Sequence, residues 1–122
     1  MNDMNFTSTI SCDEIVLTIA SEEVGRFTVY KGEVASMGIF VDEKVRGLGF
    51  ARRMMNGMLE EWTLRGRYDK ERILYIDTDA SNGFWDHIGM HANPNFENET
   101  VPQYGYEKCI SVAQLDHYLN GI

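Results

Sequence analysis

The stretch from Met37 to Met55 constrains this chain most. It reads Met-Gly-Ile-Phe-Val-Asp-Glu-Lys-Val-Arg-Gly-Leu-Gly-Phe-Ala-Arg-Arg-Met-Met. It opens on an apolar run, Ile39-Phe40-Val41, short enough to be a buried strand. Asp42-Glu43-Lys44 makes a charged turn. Gly47 and Gly49 then lead into a segment with helical periodicity. A strand, a tight glycine turn and a helix start together form an anion-binding device. The N–H groups of the first helical turn have no intrahelical acceptor and lie at the positive end of the helix dipole. Gly47 and Gly49 carry no Cβ, so a phosphate can approach the backbone closely. The expectation is a phosphate or pyrophosphate on the N–H groups of Arg46, Gly47, Leu48, Gly49, Phe50 and Ala51. The plain alternative is a strand-to-helix turn whose glycines serve shape alone. Two phosphate loops are excluded. A P-loop needs Lys-Ser/Thr after its last glycine, where Phe50-Ala51 stand. The dinucleotide pattern G-x-G-x-x-G would need glycine where Arg52 stands.

At 122 residues the chain reads as one domain, residues 1–122, with 43% hydrophobic residues to build a core. It has no run of about 18 apolar residues, so no membrane-spanning helix is expected. Met1 to Ser11 lacks the basic start and apolar centre of a signal peptide. Cys12 and Cys109 are too few for a disulfide framework, which points to reduced thiols and a cytoplasmic setting. The net charge of −8 argues against nucleic acid, and the only basic cluster, Arg46-Arg52-Arg53, sits beside the proposed phosphate site. The acidic balance suits an amine-bearing partner or serves solubility. No His, Cys and carboxylate spacing resembles a zinc site, so no metal is expected. No Ser-His-Asp arrangement can be argued.

Along the chain, residues 1 to about 12 read as a loose tail. Glu14 to Ala20 is β-branched and apolar and reads as a strand. Ser21-Glu22-Glu23 is read as a turn and Arg26 to Tyr30 as a second strand. Lys31-Gly32 signals a hairpin, and Glu33 to Val41 is a third strand with a bulge or close backbone approach at Gly38. Gly49 to about Leu64 is the main helix, with Ala51, Met54, Met55, Met58, Leu59 and Trp62 on one face. Arg72 to Thr78 reads as a strand buried on both faces. Asp79 to Gly83 is a turn with capping residues, and a short helix runs from Gly83 to Ile88. Met90 to Ala92 is a short strand and Asn93 to Pro102 a polar loop. Tyr104 to Ile110 alternates as a final strand. Ser111 caps a terminal helix ending near Leu119.

Two blocks carry a family resemblance. Arg46-Gly47-Leu48-Gly49-Phe50-Ala51 fits the R/Q-x-x-G-x-G/A motif of the GNAT acyl-CoA N-acyltransferase superfamily, with Val41 where those proteins end their fourth strand. Phe84-Trp85-Asp86-His87-Ile88-Gly89-Met90 resembles that superfamily's Phe-Tyr-Glu-Lys-x-Gly-Phe segment. The blocks stand in the expected order, and the resemblance covers roughly Glu33 to Ile110. It implies a mixed α/β fold with a mostly antiparallel central sheet, splayed at the cofactor site, and helices on its faces. It also implies that acetyl-CoA, or another acyl-CoA, binds with its pyrophosphate on Arg46 to Ala51. The pantetheine arm would pair with the backbone of Ile39, Phe40 and Val41. A primary amine, on a small molecule or a peptide, would attack the thioester directly, with a backbone N–H near Ile39 facing the developing oxyanion.

The resemblance also shows what is different here. Trp85 stands where many GNAT proteins place a Tyr that protonates the thiolate, and an indole N–H lacks useful acidity. Trp85 can pack against the pantetheine arm or donate a hydrogen bond. Tyr104 and Tyr106 are the candidate proton donors. Asp77, with Asp79, is the candidate base, against the plain alternative of solvated and helix-capping carboxylates. His87 and His91 are further candidates that read more simply as surface histidines. GNAT proteins usually carry two helices between their first two strands, and only Ser21 to Val24 stands there in this reading. The acceptor side is then open or completed by a second subunit, so a homodimer is one expectation. A non-catalytic acyl-CoA-binding domain and a structural α/β domain are the alternatives to an enzyme.

Overall fold

The computed structural model describes residues 2–81 and 83–121. Met1, Asn82 and Ile122, which the tail, turn and single-domain readings include, lie outside the described residues. The elements are β1 (Asn2–Ser8), β2 (Cys12–Ile19), β3 (Glu22–Lys31), β4 (Ala35–Val41), α1 (Phe50–Leu64), β5 (Ile73–Ile76), α2 (Phe84–His87), β6 (His91–Ala92), β7 (Lys108–Ser111) and α3 (Val112–Asn120). A short 3-10 turn, Glu43–Val45, follows β4. The strands form one mixed, mostly antiparallel sheet in the order β1-β2-β3-β4-β5-β7-β6, as the mixed α/β expectation required. The chain gathers into two compact units. One takes the residues up to Tyr30 together with Gly38–Tyr68, and the other takes Lys31–Met37 and everything from Asp69 onward.

In the first unit β1 pairs antiparallel with β2 from Asn2↔Ile19 to Ser8↔Asp13. β2 pairs antiparallel with β3 from Cys12↔Tyr30 to Ile19↔Glu22. β2 alternates strictly from Cys12 to Leu17, turning Asp13, Ile15 and Leu17 inward. α1 packs on this sheet through Met54, Met55, Met58, Leu59 and Trp62, all buried. The methionine stripe is therefore core, each side chain adding roughly 1.5–3 kcal/mol by leaving water. The helix comes close to the sheet at Gly57, where a Cβ would stand 3.4 Å from Met4 Cε and 3.7 Å from Ile15 Cδ1.

The loose tail expected over residues 1–12 is corrected, because residues 2–8 form β1. Among the described side chains there, Met4 and Phe6 are half-buried, between exposed Asp3, Asn5 and Thr7. The two-residue period is present but too thin to stand out in sequence. The Arg65 guanidinium covers the Phe6 ring at 4.6 Å. This extra strand makes β4 the fourth strand, ending at Val41 as the resemblance requires. It also moves the place where the two helices are lacking. The first two strands are joined by Thr9 to Ser11, not by Ser21 to Val24. The β2–β3 turn is Ala20-Ser21, both left-handed at φ 51° and 69°, rather than Ser21-Glu22-Glu23.

In the second unit Leu74, Tyr75 and Ile76 of β5 are buried, while Ile73 is 39% exposed. β5 pairs antiparallel with β7 from Ile73↔Ser111 to Ile76↔Lys108, and β6 pairs with β7 through His91↔Cys109 and Ala92↔Lys108. The expected strand Tyr104 to Ile110 is shortened to Lys108–Ser111. Tyr104 N–H donates to Val101 O at 3.1 Å and Tyr106 N–H to Gln103 O at 3.3 Å, with Gly105 at φ 84°. These turns use backbone groups that a strand would have paired. α3 starts at Ser111 with a full capping box through Gln114 and buries Val112, Leu115 and Leu119.

Candidate functional site

The end of β4 is fixed by its neighbours in the first unit. The register of β2 and β3 slips between Leu17 and Thr18, which leaves Val24 as the extra residue of a bulge. The Val24 carbonyl then accepts from Asp42 N–H at 2.7 Å. Asp42 Oδ1 in turn accepts from Lys44 N–H at 2.9 Å and so starts the 3-10 turn. Arg46 folds back, its Nε donating to Val41 O at 2.9 Å. One side chain of the motif thus ties the loop to the strand that precedes it. Ile39 and Val41 are half-buried rather than core, and Phe40 is 49% exposed.

Gly47 and Gly49 both take the left-handed region, at φ 82° and 80°, which would cost another residue about 1–2 kcal/mol each. A Cβ at either would meet nothing within 4 Å. The glycines therefore answer to backbone conformation and leave open space above the loop. Gly49 is the N-cap of α1 and offers no side-chain cap. Arg53 N–H reaches back to Gly49 O at 3.1 Å. Among the described residues, the N–H groups of Gly47, Leu48 and Gly49 have no backbone acceptor. The first turn of α1 carries no acidic residue. Arg52 and Arg53 occupy it instead, with the Arg53 guanidinium over the Phe50 ring at 5.8 Å. Cations at the positive end of a helix dipole are unfavourable unless an anion joins them. Ile39, Phe40 and Val41 end β4, and Arg46 to Ala51 lead from the turn after it into α1.

The remaining expected residues lie in the second unit. Asp77 is exposed just past β5, and its carbonyl accepts from Glu107 N–H at 3.1 Å. The Tyr104 hydroxyl is 3.4 Å from Glu99 Oε1, with the residue 48% exposed. The Tyr106 ring lies 5.7 Å from that of Tyr75, tilted by 55°, and packs on the small cluster of Val34, Tyr75 and Cys109. Trp85 is buried and meets Phe84 edge-on at 5.0 Å. His87 stands edge-on to Tyr118 at 6.0 Å. His91 is exposed, with Nδ1 3.3 Å from Ala92 O.

Asp79 is engaged rather than poised as a base. Its Oδ1 accepts from Ser81 N–H at 3.0 Å and from Ser81 Oγ at 2.6 Å. Its Oδ2 takes Lys108 Nζ at 2.5 Å. Lys108 and then Ser81 hold its carboxyl below the usual carboxylate range. Lys108 also reaches Asp86 Oδ1 at 2.5 Å. Hydrogen bonds to Asp79 and Asp86 push its ammonium up to about 12. Lys108 thereby ties the start and the middle of the α2 segment to β7, a role the sequence did not signal. Among the described residues, no group of three His, Cys, Asp or Glu is placed to hold a metal, and no helix is long and apolar enough to cross a membrane.

No protein-family model matches the sequence, and no curated protein matches it. Solved structures do match by fold. An acetyltransferase from Salmonella typhimurium that modifies the N-terminal serine of ribosomal protein L7/L12 aligns with a TM-score of 0.53 at 16% identity, covering 82% of this chain and 61% of that one. A GNAT-family acetyltransferase from Elizabethkingia anophelis with acetyl-CoA bound aligns with a TM-score of 0.55 at 12% identity, covering 90% and 97%. A dodecameric spermidine N-acetyltransferase from Vibrio cholerae aligns with a TM-score of 0.54 at 17% identity, covering 92% and 70%. This chain thus spans about three fifths of the Salmonella protein's length. The fold is the GNAT acetyltransferase fold.

Proposed function

We propose that the chain is an N-acetyltransferase that moves an acetyl group from acetyl-CoA to a primary amine. The supporting observation is the start of α1: a left-handed glycine cap, N–H groups without backbone acceptors, no acidic residue, and Arg46, Arg52 and Arg53 nearby. A diphosphate suits N–H groups at the positive end of a helix dipole whose first turn carries no acidic residue. Ile39, Phe40 and Val41 are assigned to the pantetheine arm through their backbone. Among the described residues the parallel ladder of β4 with β5 comprises Ala35↔Leu74 and Ser36↔Tyr75, while β4 runs on to Val41. That leaves strand backbone to pair with an extended ligand.

When bound, acetyl-CoA supplies a thioester carbonyl. The amine nitrogen bonds to that carbon, the C–S bond breaks, and the proton shed by the nitrogen ends on the sulfur. A backbone N–H near Ile39 is assigned to the carbonyl oxygen. Trp85 cannot supply the proton to sulfur. Tyr104 and Tyr106 are the candidate donors, and exposed Asp77 is the candidate base. The acceptor is an amine on a small molecule or a peptide, and a second copy of the chain is the candidate to complete the side where helices are lacking. Binding of acyl-CoA without transfer is a second reading, favoured by Trp85 and by the engagement of Asp79 with Lys108 and Ser81.

Calorimetry with acetyl-CoA and desulfo-CoA tests the cradle. Gly49→Asp puts a carboxylate into the open space above the loop and should weaken binding by roughly 100-fold, about 2.7 kcal/mol, while far-UV circular dichroism stays that of the parent. A folded Gly49→Asp protein that binds as tightly as the parent shows the diphosphate to be elsewhere. Release of free thiol from acetyl-CoA across a panel of amines then separates transfer from binding alone.

A further inference from the structure

In the first unit β1 is an edge strand, with β2 as its neighbour among the described residues. Alternate residues of its backbone therefore point away from β2. The hairpin fixes which ones. Thr9 N–H donates to Cys12 O at 2.8 Å, one step beyond the Ser8↔Asp13 pair. Hydrogen-bonded positions recur at every second residue of an antiparallel ladder. Counting back from Thr9, it is Thr7, Asn5 and Asp3 that bond to β2. Met4 and Phe6 turn their N–H and C=O outward. Open edges are ordinarily blunted by lysine, proline, a bulge or a very short strand. The seven residues Asn2–Ser8 contain no lysine, proline or glycine, and their register with β2 is unbroken.

This edge is complementary to itself. When two copies of β1 overlap antiparallel along Asn2–Ser8, Met4 of each copy stands opposite Phe6 of the other. Both are outward-facing positions, so full overlap and the parity that hydrogen bonding requires coincide. Asn5 falls on the two-fold axis, opposite Asn5 of the second copy. Asp3 falls opposite Thr7, so no like charges face each other directly. The chain carries a net charge of −8, yet Asp3 is the single charged residue of the strand, which makes this a weakly repelling strip. Met4 and Phe6 are half-buried beside buried Leu17 and Ile15. The Leu17–Met4 row of one copy thus continues into the Phe6–Ile15 row of the other. We propose that the chain forms a two-fold dimer by pairing β1 with β1 of a second copy in this register. The contact uses the same edge twice and closes at two copies. It rests on β1 alone, so the dimer and the acetyltransferase reading can fail separately.

Sedimentation equilibrium of the full chain without coenzyme A tests it. The parent should dimerise with a dissociation constant below about 100 µM. Asn5→Lys sets two ammonium groups against each other across the axis, and Asn5→Glu two carboxylates. Each should weaken the dimer at least about tenfold with circular dichroism unchanged, because Asn5 is exposed. An equimolar mixture of the two variants should associate as the parent does. Mild oxidation reads the register. Asn5→Cys should cross-link to itself, since Cα atoms of such a non-hydrogen-bonded pair lie about 4.5 Å apart. Asp3→Cys and Thr7→Cys should cross-link to each other when mixed and not each to itself. The parent, with Cys12 and Cys109, is the control for both. A parent that is monomeric at about 100 µM would overturn the proposal. So would a dimer indifferent to Asn5→Lys, or Asn5→Cys cross-linking no faster than Thr7→Cys alone.

Discussion

Asp13 is 1% exposed and sits on the apolar face of β2, in line with Ile15 and Leu17. Its Oδ2 accepts from Trp62 Nε1 at 2.8 Å and its Oδ1 from Ser8 Oγ at 2.5 Å. Arg67 Nη1 stands 3.9 Å from Oδ1, half-exposed, and donates to Ser8 Oγ at 2.9 Å. A buried carboxylate so held makes each partner costly to remove alone. Trp62→Phe loses a hydrogen bond to a charged group, about 1.5–3 kcal/mol, and leaves a small void besides. Asp13→Leu orphans the Trp62 N–H at about 1–3 kcal/mol. Trp62→Phe should therefore lose roughly 2–4 kcal/mol and Asp13→Leu roughly 1–3 kcal/mol, which a domain stable by about 5–15 kcal/mol survives. The double variant replaces both polar partners with carbon and should be less destabilised than the sum by about 1.5–3 kcal/mol. Urea melts of the four proteins give the coupling energy, provided the m-values agree. Additivity within about 0.5 kcal/mol would mean that the Asp13–Trp62 bond does not hold β2 to α1.

Two further outcomes are expected. Ala20-Ser21 occupies a two-residue hairpin turn with both residues left-handed, where Asn-Gly is preferred. Changing Ala20→Asn with Ser21→Gly should raise stability by about 1 kcal/mol in thermal or urea melts, and a loss would mean that the turn is not of this type. The Lys108 cluster should show in the pH dependence of stability. Asp79 is held below its unfolded value, so its contribution is present above about pH 3.9 and is lost as pH falls through the folded value. Lys108 is raised, so its contribution is present below about pH 10.4 and is lost as pH rises through about 12. The melting-temperature difference between the parent and Lys108→Met should be flat from roughly pH 5 to 10 and shrink beyond both ends. A difference that varies inside that window would point to other groups.

The parts of the fold that were legible in sequence are those coded by local pattern. α1 was visible because Met54, Met55, Met58, Leu59 and Trp62 repeat at helical spacing and all bury. α3 was visible because Ser111 and Gln114 form its cap. The turn into α1 was visible because Gly47 and Gly49 announce left-handed backbone in their own letters. What escaped depended on distant partners or on weak alternation. β1 carries two apolar residues in seven. Tyr104 and Tyr106 alternate like strand residues, but Gly105 at φ 84° turns the chain between them. Asp13 finds its donor 49 residues on, and Lys108 reaches back 22 and 29 residues to its acids. No spacing rule links such pairs.

On the proposed assignment, the first turn of α1, with Arg52 and Arg53 where a helix ordinarily welcomes acids, couples folding to diphosphate binding. A multivalent anion bound there would offset like charge at the helix's positive pole. Ligand at a hundredfold excess over its dissociation constant adds about 2.7 kcal/mol to the native state. The melting temperature should then rise with sulfate or phosphate and fall when they are dialysed away.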